Sequence, residues 1–200
     1  MKFGAIVLSA GKGTRFGEQK QFVEFNGLPL WQVVKNKAAV IVPDNIVVVG
    51  VDVAGGETRT ESVRIGLDCL DGDTDRVIIL EAARPLVTVE QIETLLYDDA
   101  PSVSFVMPLV NTVIFRNGDY IDREKLYELL TPQAFDYKLL KAAYEQDKDG
   151  VYTDETRVIY ETYCIKPKFI ETKQNLLKVT YKRDIEIIKE LSKMLEEGLL

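Results

Sequence analysis

The chain has 200 residues, 25 of them basic, 32 acidic and none histidine, so its formal net charge is 25 − 32 = −7. With 46% apolar and 28% charged residues it has the composition of a globular domain rather than a disordered or fibrous chain. The missing histidine excludes Ser-His and Cys-His nucleophile pairs, an imidazole base and a histidine-ligated metal. Any catalysis must therefore run on lysine, arginine, carboxylates and backbone amides. The acidic balance argues against general nucleic-acid binding, which needs a basic face, and no apolar run approaches the ~18–20 residues that cross a bilayer.

Met1-Lys2-Phe3-Gly4 runs directly into a strand-like segment without a signal-peptide pattern. Cys69 and Cys164 sit in apolar sequence and read as buried free thiols, which together predict a cytoplasmic protein. Phe3–Leu8 reads as a strand, Ser9–Gly17 as a glycine-rich loop and Leu28–Val40 as a helix. Asn45–Val51 is a β-branched run of the kind found in parallel sheets covered on both faces. Thr60–Leu70 reads as a helix, Arg76–Leu80 as a strand, and Val89–Leu96 as a helix capped by Thr88 with Gln91 completing a capping box. Phe105–Leu109 follows as a strand. Thr112–Phe115 and Tyr120–Asp122, joined through Asn117-Gly118, form a predicted hairpin. Thr131–Phe135 reads as a turn and helix start, Tyr137–Glu145 and Asp154–Tyr160 as helices, Lys168–Thr172 and Leu176–Thr180 as strands, and Arg183–Glu197 as the last helix. The alternation predicts an α/β, Rossmann-like three-layer sandwich with a mostly parallel twisted sheet. Residues 1–200 are expected to form one domain, with 110–123 as a projecting β-hairpin arm.

The chemistry concentrates in Leu8-Ser9-Ala10-Gly11-Lys12-Gly13-Thr14-Arg15-Phe16-Gly17-Glu18-Gln19-Lys20-Gln21-Phe22. A dinucleotide fingerprint fails here because the third glycine comes one residue late and no helix opens. A P-loop fails because its Gly-x-x-x-x-Gly-Lys spacing is absent. What remains is a glycine loop whose amides can nest an anion, flanked by Arg15 and Lys20, or else a glycine turn with solvated charges.

This stretch resembles the signature loop of sugar-phosphate nucleotidyltransferases, Ala-Gly-x-Gly-x-Arg followed by Lys-Gln-Phe. Gly55-Gly56-Glu57-Thr58-Arg59-Thr60-Glu61-Ser62-Val63 and Ala82-Ala83-Arg84-Pro85 follow in order, then Thr131-Pro132-Gln133-Ala134-Phe135, Thr153-Asp154-Glu155 and Lys178-Val179-Thr180. Together they are similar to the 2-C-methyl-D-erythritol 4-phosphate cytidylyltransferase branch over nearly the whole chain. The resemblance implies that Arg15 and Lys20 bind the CTP phosphates and stabilise the transition state. It implies that Ala10, Gly11 and Gly13 hold the nucleotide, and that Gly56, Glu57, Ser62 and Ala82 lie on its side of the site. It places Thr112, Arg123 and Lys178, with Arg84, at the sugar phosphate. It makes Glu81 the candidate carboxylate for a Mg²⁺ ion carried mainly by the triphosphate, and it implies a homodimer formed through the arm.

Two departures stand out. The branch usually carries His-Asp where this chain has Leu80-Glu81, and an Asp at Glu57. The segment between Val51 and Gly55 and the loop before Lys20 are also short. The same motifs leave room for a ribitol 5-phosphate cytidylyltransferase or a catalytically silent nucleotide-binding subunit. The missing histidine is compatible with transfer, because a phosphate nucleophile is already anionic at neutral pH and needs no base.

Overall fold

The computed structural model describes residues 1–148, 150–173 and 176–199. Strand β1 (Phe3–Leu8) leads through a glycine loop and a 3-10 turn to a small ribbon of β2 (Glu24–Phe25) and β3 (Leu28–Pro29), then α1 (Leu30–Ala39), β4 (Ile46–Val49), α2 (Arg59–Cys69) and β5 (Arg76–Glu81). After α3 (Val89–Leu96) and β6 (Ser102–Pro108) comes the arm. The chain then continues through β7 (Tyr127–Asp136), α4 (Tyr137–Gln146), α5 (Glu155–Tyr163), β8 (Lys168–Glu171) and α6 (Asp184–Glu196). The main sheet has the order β4-β1-β5-β7-β6-β8. It is mostly parallel: β7 alone runs against its neighbours, β5 and β6.

The period-2 alternation of strands sorts the core into two layers. Ala5, Val7, Ile78 and Leu80 point to one face, under α1 and α3, with Val34, Ala38, Ile92 and Leu95. Ile6, Val77 and Ile79 point to the other, under α2, α4 and α5, with Val63, Leu67, Leu140 and Ile159. A third cluster under α6 joins Ile185 and Ile188 to Phe16, Phe25 and Val179, tying the C-terminal part of the chain to the first loop. Leu80, which stands where the related branch carries histidine, is 1% exposed in the first layer. It is a core residue here. The chain goes from β1 through α1 on one face to β4, then returns through α2 on the other face, across β1, to β5, so the strand order reverses at β1 and opens a crevice at its carboxyl end.

Five local expectations need correction. Thr131–Phe135 is not a turn but the middle of β7. Proline is disfavoured in a central strand, yet Pro132 is accommodated where the β6–β7 register shifts between Ser104 and Val106, and beyond the last β5 pair, Ile79 with Gln133. Leu176–Thr180 forms no strand and joins no sheet. It is held by Val179 N–H on the Ala83 carbonyl (2.8 Å) and by Arg84 on the Leu176 carbonyl. The helix expected from Leu28 begins at Leu30, because Asn26-Gly27, with φ of 51° and 82°, makes the two-residue hairpin of β2 and β3. In the arm, by contrast, Gly118 (φ 95°) alone takes the left-handed conformation, and a single bridge, Ile114 to Tyr120, stands in for a ladder. Finally, Cys69 and Cys164 are free but exposed: Cys69 ends α2 between the inward-facing Leu67 and Leu70, and Cys164 caps α5.

Candidate active site

The loops that follow β1, β4 and β5 enclose a cavity of about 340 Å³ at the carboxyl ends of those strands. Its first wall is Ser9 to Lys12 with Lys20 and Gln21; its second is Gly56 to Arg59 with Ser62; its floor is Glu81 to Ala83; and Lys178 closes it from the C-terminal segment. Four lining cations (Lys12, Lys20, Arg59, Lys178) face two carboxylates (Glu57, Glu81), so the pocket is locally basic in a chain of net charge −7.

The first loop turns back on itself through Gly13, whose carbonyl accepts from Phe16 N–H (2.9 Å) and Gly17 N–H (2.8 Å). A Cβ at Gly13 would fall 1.7 Å from the Glu18 carbonyl oxygen, and its φ of 65° is one that side chains disfavour. Gly13 thus shapes the loop and lies outside the cavity wall. The turn delivers Lys20, whose Nζ donates to the Val179 carbonyl at 2.7 Å. Burial, and then the charge of Lys178, push the Lys20 ammonium below the ordinary lysine range. Arg15 is exposed and outside the wall, but its charge adds to the same depression. The Ser9 hydroxyl is buried at the cavity with no partner among the described residues.

The second wall is preorganised by the start of α2. Thr58 caps the helix by accepting from Glu61 N–H (3.0 Å), Glu61 accepts from Glu57 N–H (2.7 Å), and the Ser62 hydroxyl both accepts from Gly56 N–H (3.1 Å) and donates to the Thr58 carbonyl (3.0 Å). Gly55 is the point of contact between the walls, for a Cβ there would sit 2.1 Å from the Cβ of Ala10.

Glu81 ends β5 between cations. One carboxylate oxygen pairs with Lys178 and the other lies 3.8 Å from Arg59 Nε. Burial alone would raise its carboxyl, but Lys178 and Arg59 outweigh that and hold it below the usual carboxylate range. Arg84 lies under this floor, bound to the Leu176 carbonyl and adding its charge to the Glu81 environment, without reaching the cavity. Burial disfavours the Arg84 charge.

The fold therefore gathers Ala10, Gly11, Lys20, Gly56 and Glu57 with Ser62, Glu81, Ala82 and Lys178. It leaves Gly13, Arg15 and Arg84 just outside. Thr112 and Arg123 are exposed in the arm, where Arg123 donates to the Val110 carbonyl. Arg59 and Glu155 were missed as site residues, although both stand inside quoted motifs. Glu155 is wholly buried and holds the Arg59 fork. Lys12 and Gln21 were also missed.

The profile of the IspD, or 2-C-methyl-D-erythritol 4-phosphate cytidylyltransferase, family matches residues 44–191. The chain belongs to this family. Curated relatives of that name include one from Thermotoga neapolitana, 32% identical over 94% of this chain and 96% of the relative. Another, from Endomicrobium trichonymphae, is 33% identical over 96% and 100%. A solved structure of the 2-C-methyl-D-erythritol 4-phosphate cytidylyltransferase of Thermus thermophilus superposes with a TM-score of 0.80 over 96% of this chain and all of that one, at 20% identity. The bifunctional IspDF of Campylobacter jejuni also gives 0.80 at 29% identity, covering 93% of this chain and 54% of its own.

Gly55→Ala should force the two walls apart, destabilising the protein by roughly 1–3 kcal/mol and weakening CTP binding about tenfold or more (~1.4 kcal/mol). Chemical denaturation and isothermal titration calorimetry check this, and an unchanged CTP affinity would refute the role given to the contact.

Proposed function

We propose that this IspD-family chain is a nucleotidyltransferase that joins CTP to 2-C-methyl-D-erythritol 4-phosphate, giving 4-diphosphocytidyl-2-C-methyl-D-erythritol and pyrophosphate in the non-mevalonate route to isoprenoids. The observation that carries this reading is the gathering of Lys20, Lys178 and the glycine loop around one cavity at the carboxyl ends of the strands, with Glu81 at its floor paired to Lys178. An oxygen of the sugar phosphate attacks the α-phosphorus of CTP in line, and the bond to the β-phosphate breaks. The nucleophile is already anionic, so no proton must be removed, and positioning with charge neutralisation carries the rate. Lys20, with Arg15, would neutralise charge growing on the pyrophosphate. The amides of Ala10 and Gly11 would hold the triphosphate, while Gly56, Glu57, Ser62 and Ala82 would line the nucleoside. Lys178 would exchange Glu81 for the incoming sugar phosphate, with Arg84 supporting that side.

The donor set suits a magnesium ion brought in by the nucleotide and not a protein cage. Among the described residues no group of three or more His, Cys, Asp or Glu is arranged to hold a metal, and Glu81 offers one ionised carboxylate at the floor. Mg²⁺ of this kind needs only one or two carboxylates beside phosphates and waters. When bound it would supply charge neutralisation on the phosphate oxygens.

A homodimer through the arm is part of the reading. Val110 (79% exposed), Ile114, Phe115 and Tyr120 (83%) form an apolar, uncovered arm, and Thr112 and Arg123 would serve the partner's site, since they lie outside their own cavity. A cytoplasmic location is in keeping with two free, exposed thiols; among the described residues no helix is long and apolar enough to cross a membrane. The ribitol 5-phosphate and silent-subunit readings are disfavoured by the family match and by the charged floor.

The wild-type protein should release pyrophosphate from CTP with Mg²⁺ and 2-C-methyl-D-erythritol 4-phosphate but not with ribitol 5-phosphate. In that assay Lys20→Ala should lower kcat by roughly 10²–10³-fold without loss of thermal stability, and Lys178→Ala should chiefly raise KM for the sugar phosphate. Near-full turnover by Lys20→Ala would overturn the loop assignment. Light scattering at micromolar concentration should report the mass of two chains; a monomer would remove the arm's proposed role.

A further inference from the structure

The Thr153-Asp154-Glu155 motif takes no part in the mechanism above, yet it contains a wholly buried acid. Asp154 caps α5, accepting from Arg157 N–H at 3.2 Å. Glu155, the first residue of that helix, is 0% exposed. Its Oε2 accepts from Arg59 Nη2 at 2.8 Å and its Oε1 from Arg59 Nη1, while the Tyr144 hydroxyl donates to Oε1 at 3.1 Å. Both outer nitrogens of the Arg59 fork are therefore spent inward, away from the cavity that Arg59 lines. Its Nε lies 3.8 Å from Glu81 Oε1 and is buried with no hydrogen-bond partner among the described residues.

Buried ion pairs of this kind are a poor route to stability, because apolar replacements are often neutral or better. The arrangement makes sense instead as orientation. Arg59 is the first residue of α2, directly after its cap Thr58, and lines the cavity with Gly56 of the preceding loop and Ser62 of the helix's first turn. Fixing its fork fixes both that wall and the cation beside Glu81. It also prevents the fork from turning into the cavity to capture the triphosphate in an unproductive pose.

We propose that Glu155 is a positioning residue for cytidylyl transfer: it touches no substrate, but through Arg59 it sets the relation between the nucleoside wall and the Glu81 floor. The proposal rests on the cytidylyltransferase reading given above. Glu155→Gln keeps the shape and a hydrogen-bond acceptor while removing the charge. It should stay folded and lower kcat/KM for CTP by roughly 10- to 100-fold, the range seen when an outer-shell partner of a site is removed. A crystal structure of that variant should show the Arg59 guanidinium displaced. The triple variant Arg59→Met/Tyr144→Phe/Glu155→Leu replaces the whole buried network with apolar groups. It should fold with thermal stability near that of the wild type and be at least as slow as Glu155→Gln. A triple variant that folds and turns over like the wild type would make the network merely structural and overturn the proposal, and so would a Glu155→Gln protein with unchanged kinetics and Arg59 in place. If Glu155→Gln does not fold, the triple variant decides. If the wild-type protein itself releases no pyrophosphate, the cytidylyltransferase reading fails, and the position of Arg59 in Glu155→Gln still decides whether Glu155 orients it.

Discussion

The carboxylate of Glu81 is the point on which the site is organised. It ends β5, between Lys178 from the C-terminal segment and Arg59 from α2, with Arg84 beneath and Glu155 behind Arg59. One charge thus ties together the sheet, a helix from its far face and a segment that belongs to no sheet. A carboxylate buried to this degree stays ionised only because cations surround it. The same cations would be costly to gather in a pocket without it. The anionic floor lets an acidic protein hold a basic pocket ready for a polyphosphate.

Two of the pocket's lysines rest on internal acceptors: Lys20 on the Val179 carbonyl, Lys178 on Glu81. On the proposed reading, such groups are positioned before the ligand arrives and would exchange a protein oxygen for a phosphate oxygen with little reorganisation, the condition for electrostatic catalysis. Arg59 differs, since its fork is bound bidentately by a buried acid. The site combines exchangeable cations with one that is fixed. Leu80 and Glu81 fit the same scheme: the first gives its side chain wholly to the core, and the second keeps the charge with the longer reach that brings it to Lys178.

Much of this was legible in the sequence. Val89–Leu96 was read with its capping box, because local hydrogen bonding alone determines it. The β-branched run around Val47–Val49 declared a strand covered on both faces. The loop from Ala10 to Lys20 and the Gly55–Ser62 element were recognisable by composition and spacing, and the fold does bring them together. What was hidden depended on tertiary context. Pro132 concealed β7 because a register shift that only the neighbouring strands reveal makes room for it. Two Asn-Gly pairs carried the same turn signal, but only Asn26-Gly27 takes positive φ at both residues. Arg59 and Glu155 lie 96 positions apart, and no local pattern announces that one will bury its charge against the other.

The most direct test of the account is a crystal structure of the protein with CTP and Mg²⁺. The account predicts the triphosphate in the cavity between Ala10 and Gly56, with Lys20 Nζ moved from the Val179 carbonyl to within ~3 Å of a phosphate oxygen and Arg59 still on Glu155. CTP bound elsewhere, Lys20 left on Val179, or the Arg59 fork turned out onto the phosphates would contradict it.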